Sequence, residues 1–132
     1  MFFEKKQLTS FESILIRESG MRFRVEYEIE PKDDKAQISL YRIMIRDRED
    51  VRELDSQAVM SRDEFIALCN RCGLMGWNGF HGAHPKGVHD GIMFTLEARV
   101  NGGEEIKAEG SENFPKHYRE FVSELSSALR GS

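Results

Sequence analysis

Residues 21–30, MRFRVEYEIE, alternate between apolar and charged side chains with a period of two. The apolar members point to one side of the predicted strand: Phe23, Val25, Tyr27 and Ile29. The charged members point to the other side: Arg22, Arg24, Glu26, Glu28 and Glu30. One apolar and one charged face are typical of an antiparallel sheet that is buried on a single side. The stretch therefore predicts such a sheet, with other elements covering its apolar face.

Three more predicted strands complete a four-strand meander in the first sixty residues: 11–17, 36–46 and 51–60. Pro31 and the charged run that begins with it predict the end of the second strand. The alternation in the third strand changes phase near Leu40-Tyr41, which indicates a β-bulge or burial on both faces. The polar fourth strand suits the edge of the sheet.

Capping residues and apolar stripes predict two helices. Ser61-Arg62-Asp63-Glu64 is a capping box, and Gly73 stands where a helix C′ glycine belongs. The first apolar stripe consists of Phe65, Leu68, Cys69 and Cys72. Pro115 is the predicted first residue of the second helix, whose stripe consists of Tyr118, Phe121, Val122, Leu125, Ala128 and Leu129.

Residues 92–100 and 104–109 form a predicted hairpin, because Asn101-Gly102 between them is a strong turn signal. The element order is then ββββ-α-ββ-α. We predict an α+β fold with one antiparallel sheet, built from the four-strand meander and the C-terminal hairpin, and two helices on one face. The 132 residues predict a single domain spanning 1–132.

Composition excludes several classes of partner. The chain is 39% hydrophobic and 32% charged with a net charge of −4, and its charges are mixed in sign throughout. It has no basic block for nucleic acid or anionic lipid, and no apolar run long enough for a signal peptide or a membrane span. Two cysteines three residues apart agree with a reducing compartment. We therefore expect a cytoplasmic protein that binds neither nucleic acid nor membrane.

The stretch 69–94, CNRCGLMGWNGFHGAHPKGVHDGIMF, concentrates the rare residue types. It holds both cysteines, the only tryptophan, three of four histidines and six of eleven glycines. Its long loop, residues 74–91, exceeds the usual length of a structureless connection, and such loops are often functional. Trp77 and Phe80 predict either an aromatic platform for a ligand or, as we favour, anchors that pin the loop to the core.

The candidate ligand-binding residues all lie in this loop: Trp77, Phe80, His81, His84, His89 and Asp90. A carboxylate beside an imidazole suits a general base, but the sequence offers no nucleophile partner. Asp90-Gly91 also suits a plain turn before the next strand. The loop glycines have a three-residue spacing after a helix, which does not match a phosphate-binding loop.

Two cysteines and two histidines suggest a zinc site as one alternative. Cys69-x2-Cys72 and His81-x2-His84 supply an accepted tetrahedral ligand set, although the gap between the pairs is shorter than in familiar motifs. Both cysteines also fall on the apolar stripe of a helix, where free cysteine commonly packs as a small hydrophobe. A redox pair is excluded, because the dipole at a helix C-terminus disfavours a thiolate. We predict no bound metal and no cofactor.

Residues 77 to about 125 resemble a group of bacterial proteins of unknown function. The matching pieces are Trp77-Asn78-Gly79-Phe80, Asp90-Gly91, Phe94, Leu96, the hairpin glycine, Ile106, Gly110-Ser111, Asn113, Phe114-Pro115 and Tyr118. The pattern includes neither the cysteines nor the histidines. The resemblance implies a shared small α+β fold and brings no activity, cofactor or ligand with it.

The sequence favours a non-enzymatic binding domain of a bacterial cytoplasmic protein, with residues 74–91 and the polar sheet face as its surface. The expected partner is a protein or a small molecule. Two alternatives stay open: the zinc module of Cys69, Cys72, His81 and His84, and a small enzyme that uses His81, His84 and His89.

Overall fold

The computed structural model describes residues 6–131, which form one seven-stranded sheet and two helices. The strands are β1 (Phe11–Ser19), β2 (Arg24–Lys32), β3 (Lys35–Arg46), β4 (Glu49–Ser61), β5 (His81–Gly82), β6 (Met93–Val100) and β7 (Glu104–Ser111). The helices are α1 (Arg62–Cys72) and α2 (Tyr118–Arg130), and a 3₁₀ turn covers Leu74–Trp77. The predicted α+β class and the order ββββ-α-ββ-α are confirmed, with β5 as an additional short strand.

The strand order is β4-β3-β2-β1-β6-β7-β5. β1 pairs with both β2 and β6, so the meander and the C-terminal hairpin share one sheet. Within residues 6–131, β5 runs parallel to β7 and the other neighbouring strands are antiparallel. β5 has two residues, which is too short for an alternating pattern to predict.

The predicted phase change in the third strand corresponds to a β-bulge. Leu40 lies opposite Ser56 and Tyr41 lies opposite Leu54, so the pairing of β3 with β4 shifts at this point. Asp55 on β4 is the extra residue, since it has no place between these two pairs. The bulge is therefore at the predicted position, with its additional residue on the edge strand.

Three predicted boundaries are wrong. β2 begins at Arg24 and not at Met21, so Phe23 precedes the strand and is 41% exposed instead of lying on its apolar face. Pro31 does not end β2 but lies opposite Ala36 within it. The pairing of β2 with β1 stops at Ile29, so the proline stands where β2 has one neighbour instead of two, a position that tolerates proline. Pro115 does not begin α2 either: its carbonyl accepts a hydrogen bond from the Tyr118 amide at 3.1 Å, and the helix starts at Tyr118.

The core lies between the helices and one face of the sheet. Phe65 of α1 packs against Phe11 of β1 and Phe121 of α2, with ring centroids 4.9 Å and 6.0 Å away. The predicted caps of α1 are confirmed, because the Ser61 hydroxyl accepts from the Glu64 amide and Gly73 adopts φ +73°. No helix within residues 6–131 has the length and apolar character to cross a membrane. The other face of the sheet, called the open face below, carries no helix from the described part of the chain.

Candidate binding site on the open face

The loop 74–91 starts inside the core. Trp77 is 4% exposed, and its ring meets Tyr118 at 5.8 Å and Phe121 edge-on at 5.6 Å. The indole N–H donates to the carbonyl of Lys116 at 3.1 Å. Phe80 is half-buried with its ring 6.2 Å from that of Phe94. These two aromatic residues hold the loop against the helix-covered side of the molecule.

The next residues of the loop pair with the edge of β7. The Gly79 amide donates to the Lys107 carbonyl at 2.8 Å, and the Lys107 amide donates to Asn78 Oδ1 at 2.9 Å. The Glu109 amide then donates to the Phe80 carbonyl at 3.0 Å. This stretch satisfies amides that a free strand edge would leave unpaired. It also places β5 beside the end of β7, so that the histidines after Phe80 reach the open face.

Close backbone approaches fix the turn after β7. A Cβ atom on Gly110 would lie 2.1 Å from the Asn113 carbonyl oxygen, and one on Gly82 would lie 2.6 Å from it. The Asn113 side chain donates to the Ala83 carbonyl at 3.3 Å. The residues that resemble the bacterial proteins lie mostly in the first part of the loop, around the turn after β7 and in the side chains that pack there: Trp77, Asn78, Gly79, Phe80, Phe94, Gly110, Asn113, Phe114 and Tyr118.

His81 is held by a carboxylate. Its Nδ1 lies 3.0 Å from Glu109 Oε1, and its side chain is 73% exposed. An ionised carboxylate accepts and cannot donate, so Nδ1 carries the hydrogen. The second ring nitrogen, Nε2, then has a free lone pair in the neutral ring. This arrangement gives an oriented imidazole with one nitrogen open to a ligand.

His84 is bonded through both ring nitrogens. Nδ1 lies 2.8 Å from the Ser111 hydroxyl oxygen, and Nε2 lies in close contact with the Val88 carbonyl oxygen. A carbonyl only accepts, so Nε2 carries the hydrogen, and in the neutral ring Nδ1 accepts the Ser111 proton. The histidine therefore links the tip of the loop to β7 and stands next to a serine hydroxyl.

His81 and His84 share one cavity, about 390 Å³ in volume, on the open face. Met93 and Ile43 give it apolar lining, and Arg17 and Thr95 give it polar lining. Arg17 donates through Nε to Glu26 at 3.2 Å, which leaves its terminal nitrogens for other acceptors. The cavity thus combines apolar surface with two arginines, two histidines and three glutamates.

An ion-pair network continues from the cavity across the open face. Arg52 contacts Glu26 at 2.9 Å and Glu28 at 2.5 Å, and its guanidinium stacks 3.5 Å from the Tyr41 ring. A hydrogen bond with Glu30, together with Arg52, lowers the pKa of Glu28. The same bond with Glu28 raises the pKa of Glu30. When this pair takes up one proton, Glu30 is the residue that holds it.

The other predicted site residues lie elsewhere. His89 and Asp90 are exposed on the loop and do not line the cavity, so the three loop histidines do not all converge. Trp77 lies in the core, and Phe80 lies between the core and the loop surface. Of the predicted residues, the structure brings together His81 and His84 at the cavity.

The four residues of the zinc alternative are not assembled into a site. Cys69 and Cys72 are buried on α1 within the core cluster, whereas His81 and His84 are exposed on the open face. In the part of the chain that the structure describes, no three His, Cys, Asp or Glu side chains form a group that would hold a metal ion. Burial raises the pKa of both thiols, which keeps them protonated and poor metal ligands.

Of the cavity residues, only His81 and His84 belong to the predicted site, and four of the others carry polar side chains that contribute directly to it. Thr95, Glu109 and Ser111 occupy outward positions of β6 and β7, and Arg17 occupies one of β1. The period of two indicates that these side chains point away from the core. The missing information was the pairing of β1 with β6 and of β5 with β7, which brings these side chains next to the loop histidines.

No protein-family model matches the chain, and a search of curated proteins finds no significant relative. The resemblance to bacterial proteins stays a prediction.

Proposed function

We propose that this chain is a non-enzymatic binding domain of a bacterial cytoplasmic protein, and that the cavity under His81 and His84 is its ligand site. The observation that carries the proposal is the composition of this cavity, which combines apolar lining with an incompletely bonded arginine and an oriented imidazole. Small-molecule sites typically pair apolar walls with a few fixed polar groups.

The lining favours a small organic acid as the ligand. About 390 Å³ lies within the usual size of small-molecule pockets. Met93 and Ile43 suit an apolar body, while Arg17 and Arg24 stand at the rim with donors to spare. The three carboxylates that line the cavity already have partners, since Glu26 binds two arginines, Glu109 binds His81 and Glu18 accepts from the Tyr118 hydroxyl. The polar groups of the cavity that still lack a partner are thus mainly hydrogen-bond donors of the arginines, and such donors suit an acidic group on the ligand.

A screen of small carboxylic acids against matched amines tests this proposal by amide chemical shifts. A ligand of the cavity should shift the amides of β5, the start of β6 and the end of β7. Thr95→Trp places a large ring in the cavity and should weaken binding by at least about tenfold, or 1.4 kcal/mol. Glu105→Trp, on the same face of the sheet but outside the cavity, is the control and should bind as the unmodified chain does. Equal binding by both variants, or preference for the amines, would contradict the proposal.

A small hydrolase is the second candidate, and one observation favours it. Ser111, His84 and the Val88 carbonyl form a chain of nucleophile, base and orienting acceptor, the arrangement that activates serine in acyl transfer. In such a step the Ser111 oxygen would attack an ester carbonyl while its proton moves to His84 Nδ1, which would pass the proton to the alcohol as the ester C–O bond breaks. A water that gives its proton to the same nitrogen would then release the acid from Ser111. The Val88 carbonyl would hold the opposite ring nitrogen in the right tautomer.

A fluorophosphonate probe separates the two candidates, because it forms a covalent bond only with an activated serine. A hydrolase should gain one probe mass at Ser111, and Ser111→Ala or His84→Ala should abolish the labelling. Ser123→Ala, on α2, is the control that should leave the labelling unchanged. No labelling of the folded chain would remove the hydrolase and leave the binding domain.

A further inference from the structure

A second concave surface lies on the helix side of the loop, away from the open face. We call it the basic groove. It has a volume of about 500 Å³ and lies between the chain at Lys6, the end of α1 and the turn before α2. Apolar side chains form its floor: Cys72, Met75, Trp77 and Phe80. Three cationic side chains stand around it, Lys6, Arg71 and Lys116, together with His117.

The charge of this groove opposes that of the whole protein. The chain carries a net charge of −4, yet none of the described residues that line the groove is acidic. Lys116 is exposed, and no ion pair forms to it within residues 6–131. A local positive surface on an acidic protein attracts anionic partners and speeds their association.

The remaining cations of the groove are only weakly committed. Lys6 pairs with Glu104 at 2.8 Å, Arg71 approaches Glu120 at 4.0 Å, and His117 Nδ1 lies 3.2 Å from the same Glu120. All of these side chains are exposed. Exposed ion pairs contribute little free energy and exchange readily with solvent or with another partner. An incoming carboxylate can therefore compete for both cations without exposing a buried charge.

We propose that the basic groove is a docking site for an acidic peptide segment of a partner protein. Its cations come from three separate parts of the chain, at Lys6, Arg71 and Lys116, so they surround the floor. One small anion meets one or two of them, whereas an extended acidic segment meets all of them. The apolar floor suits an aliphatic side chain between the acidic residues, as in other peptide-binding grooves. This site is independent of the open-face cavity and of the ligand proposed there.

Trp77 provides a direct readout, because it is the only tryptophan and it is one of the residues that line the groove. The probe is a short capped peptide in which glutamates flank a pair of leucines and no aromatic residue is present. Titration should shift the Trp77 emission in a saturable way, and added salt should weaken the binding. The same peptide with lysine in place of each glutamate should give no saturable change.

Charge reversal locates the binding. The double substitution Arg71→Glu with Lys116→Glu should weaken the peptide by at least about tenfold. Lys86→Glu with Arg99→Glu makes the same change in net charge at exposed positions outside the groove. This control should lose only the part of the affinity that depends on the net charge of the whole chain. If the first variant does not fold, Lys116→Gln removes one cation and no ion pair, and should weaken binding by about threefold.

Three results would overturn the proposal. The first is equal binding of the glutamate and lysine peptides, because the charge of the groove would then not select the partner. The second is equal loss of affinity in the groove variant and its control, because the effect would then reflect net charge alone. The third is citrate producing the same emission shift with an affinity similar to that of the peptide, because the groove would then be a site for small anions.

Discussion

The stretch from Cys69 to Asp90 divides into two parts that are adjacent in sequence and opposite in environment. The inner part, residues 69–80, has its cysteines and Trp77 in the core. The outer part, residues 81–90, has its histidines exposed. Aromatic packing and backbone hydrogen bonds hold the inner part, whereas side-chain bonds to Glu109, Ser111 and Asn113 hold the outer part.

This difference shows why clustering of rare residues in the sequence is a poor guide to a site. Cysteine, tryptophan and glycine in the inner part serve packing and turns. The histidines of the outer part keep polar groups at the surface, where a ligand has access. The two sets of residues are therefore neighbours in the sequence but have different roles in the fold.

Replacing Trp77 by alanine should have the largest effect. The change removes a buried ring that packs on Tyr118 and Phe121, so the free energy of unfolding should fall by about 3–5 kcal/mol. Urea denaturation followed by circular dichroism measures it. His89→Ala, in the exposed outer part, is the control and should leave the stability unchanged. A loss below about 1 kcal/mol at Trp77 would mean that the inner part does not anchor the loop.

In the folded chain the buried thiols should be protected from chemical modification, whereas the exposed imidazole of His81 should react. Cys69 is 0% exposed, so its alkylation by iodoacetamide requires opening of the structure. We expect it to react about 100-fold more slowly than in urea, which corresponds to an opening free energy of about 3 kcal/mol. Diethyl pyrocarbonate should modify His81 in the folded chain without delay. Rapid alkylation of Cys69 would place the end of α1 outside the core.

The same thiols predict a loss of stability at alkaline pH. Burial raises the pKa of Cys69, and burial followed by the charge of Glu120 raises that of Cys72. The folded state therefore holds the thiol protons more tightly than the unfolded state, in which the thiols have a pKa of about 8.5. Their contribution is complete below that pH and is lost as the pH rises above it. Cys69→Ala should flatten the decline in unfolding free energy between about pH 8.5 and 10.

The sequence predicted most of the fold and little of the site. The alternation in 21–30 and 92–100, the Asn101-Gly102 turn and the N-cap residue Ser61 are local signals. Each corresponds to an observed element, although β2 begins only at Arg24. The cavity depends on the pairing of β1 with β6 and of β5 with β7. These contacts join residues far apart in the chain, and no local pattern specifies them. His81 and His84 were found because they are rare, whereas Ser111 and Glu109 looked like ordinary surface residues.

Gly110 lies in close contact with neighbouring atoms, whereas Gly76 has free space where a side chain would be. Gly110→Ala would place a Cβ atom 2.1 Å from the Asn113 carbonyl and 2.8 Å from the Phe94 ring, so it should cost about 1–3 kcal/mol of unfolding free energy. Gly76→Ala is the matched control, since its Cβ atom meets nothing within 4 Å. Thermal unfolding of the two variants measures the difference. Equal melting temperatures would show that the turn after β7 yields without cost.

The two cavity histidines should differ in their effect on the outer part of the loop. His84→Ala removes bonds to both Ser111 and Val88, and should lower the free energy of unfolding by about 1 kcal/mol at most. Its main effect should be local: trypsin should cleave after Lys86 several times faster, because the tip of the loop loses its link to β7. His81→Ala removes one exposed pair with Glu109, and should leave both the stability and the cleavage rate unchanged. If both variants are cleaved at the rate of the unmodified chain, His84 does not restrain the loop. Its hydrogen bond to Ser111 would then have no role in holding the loop to β7.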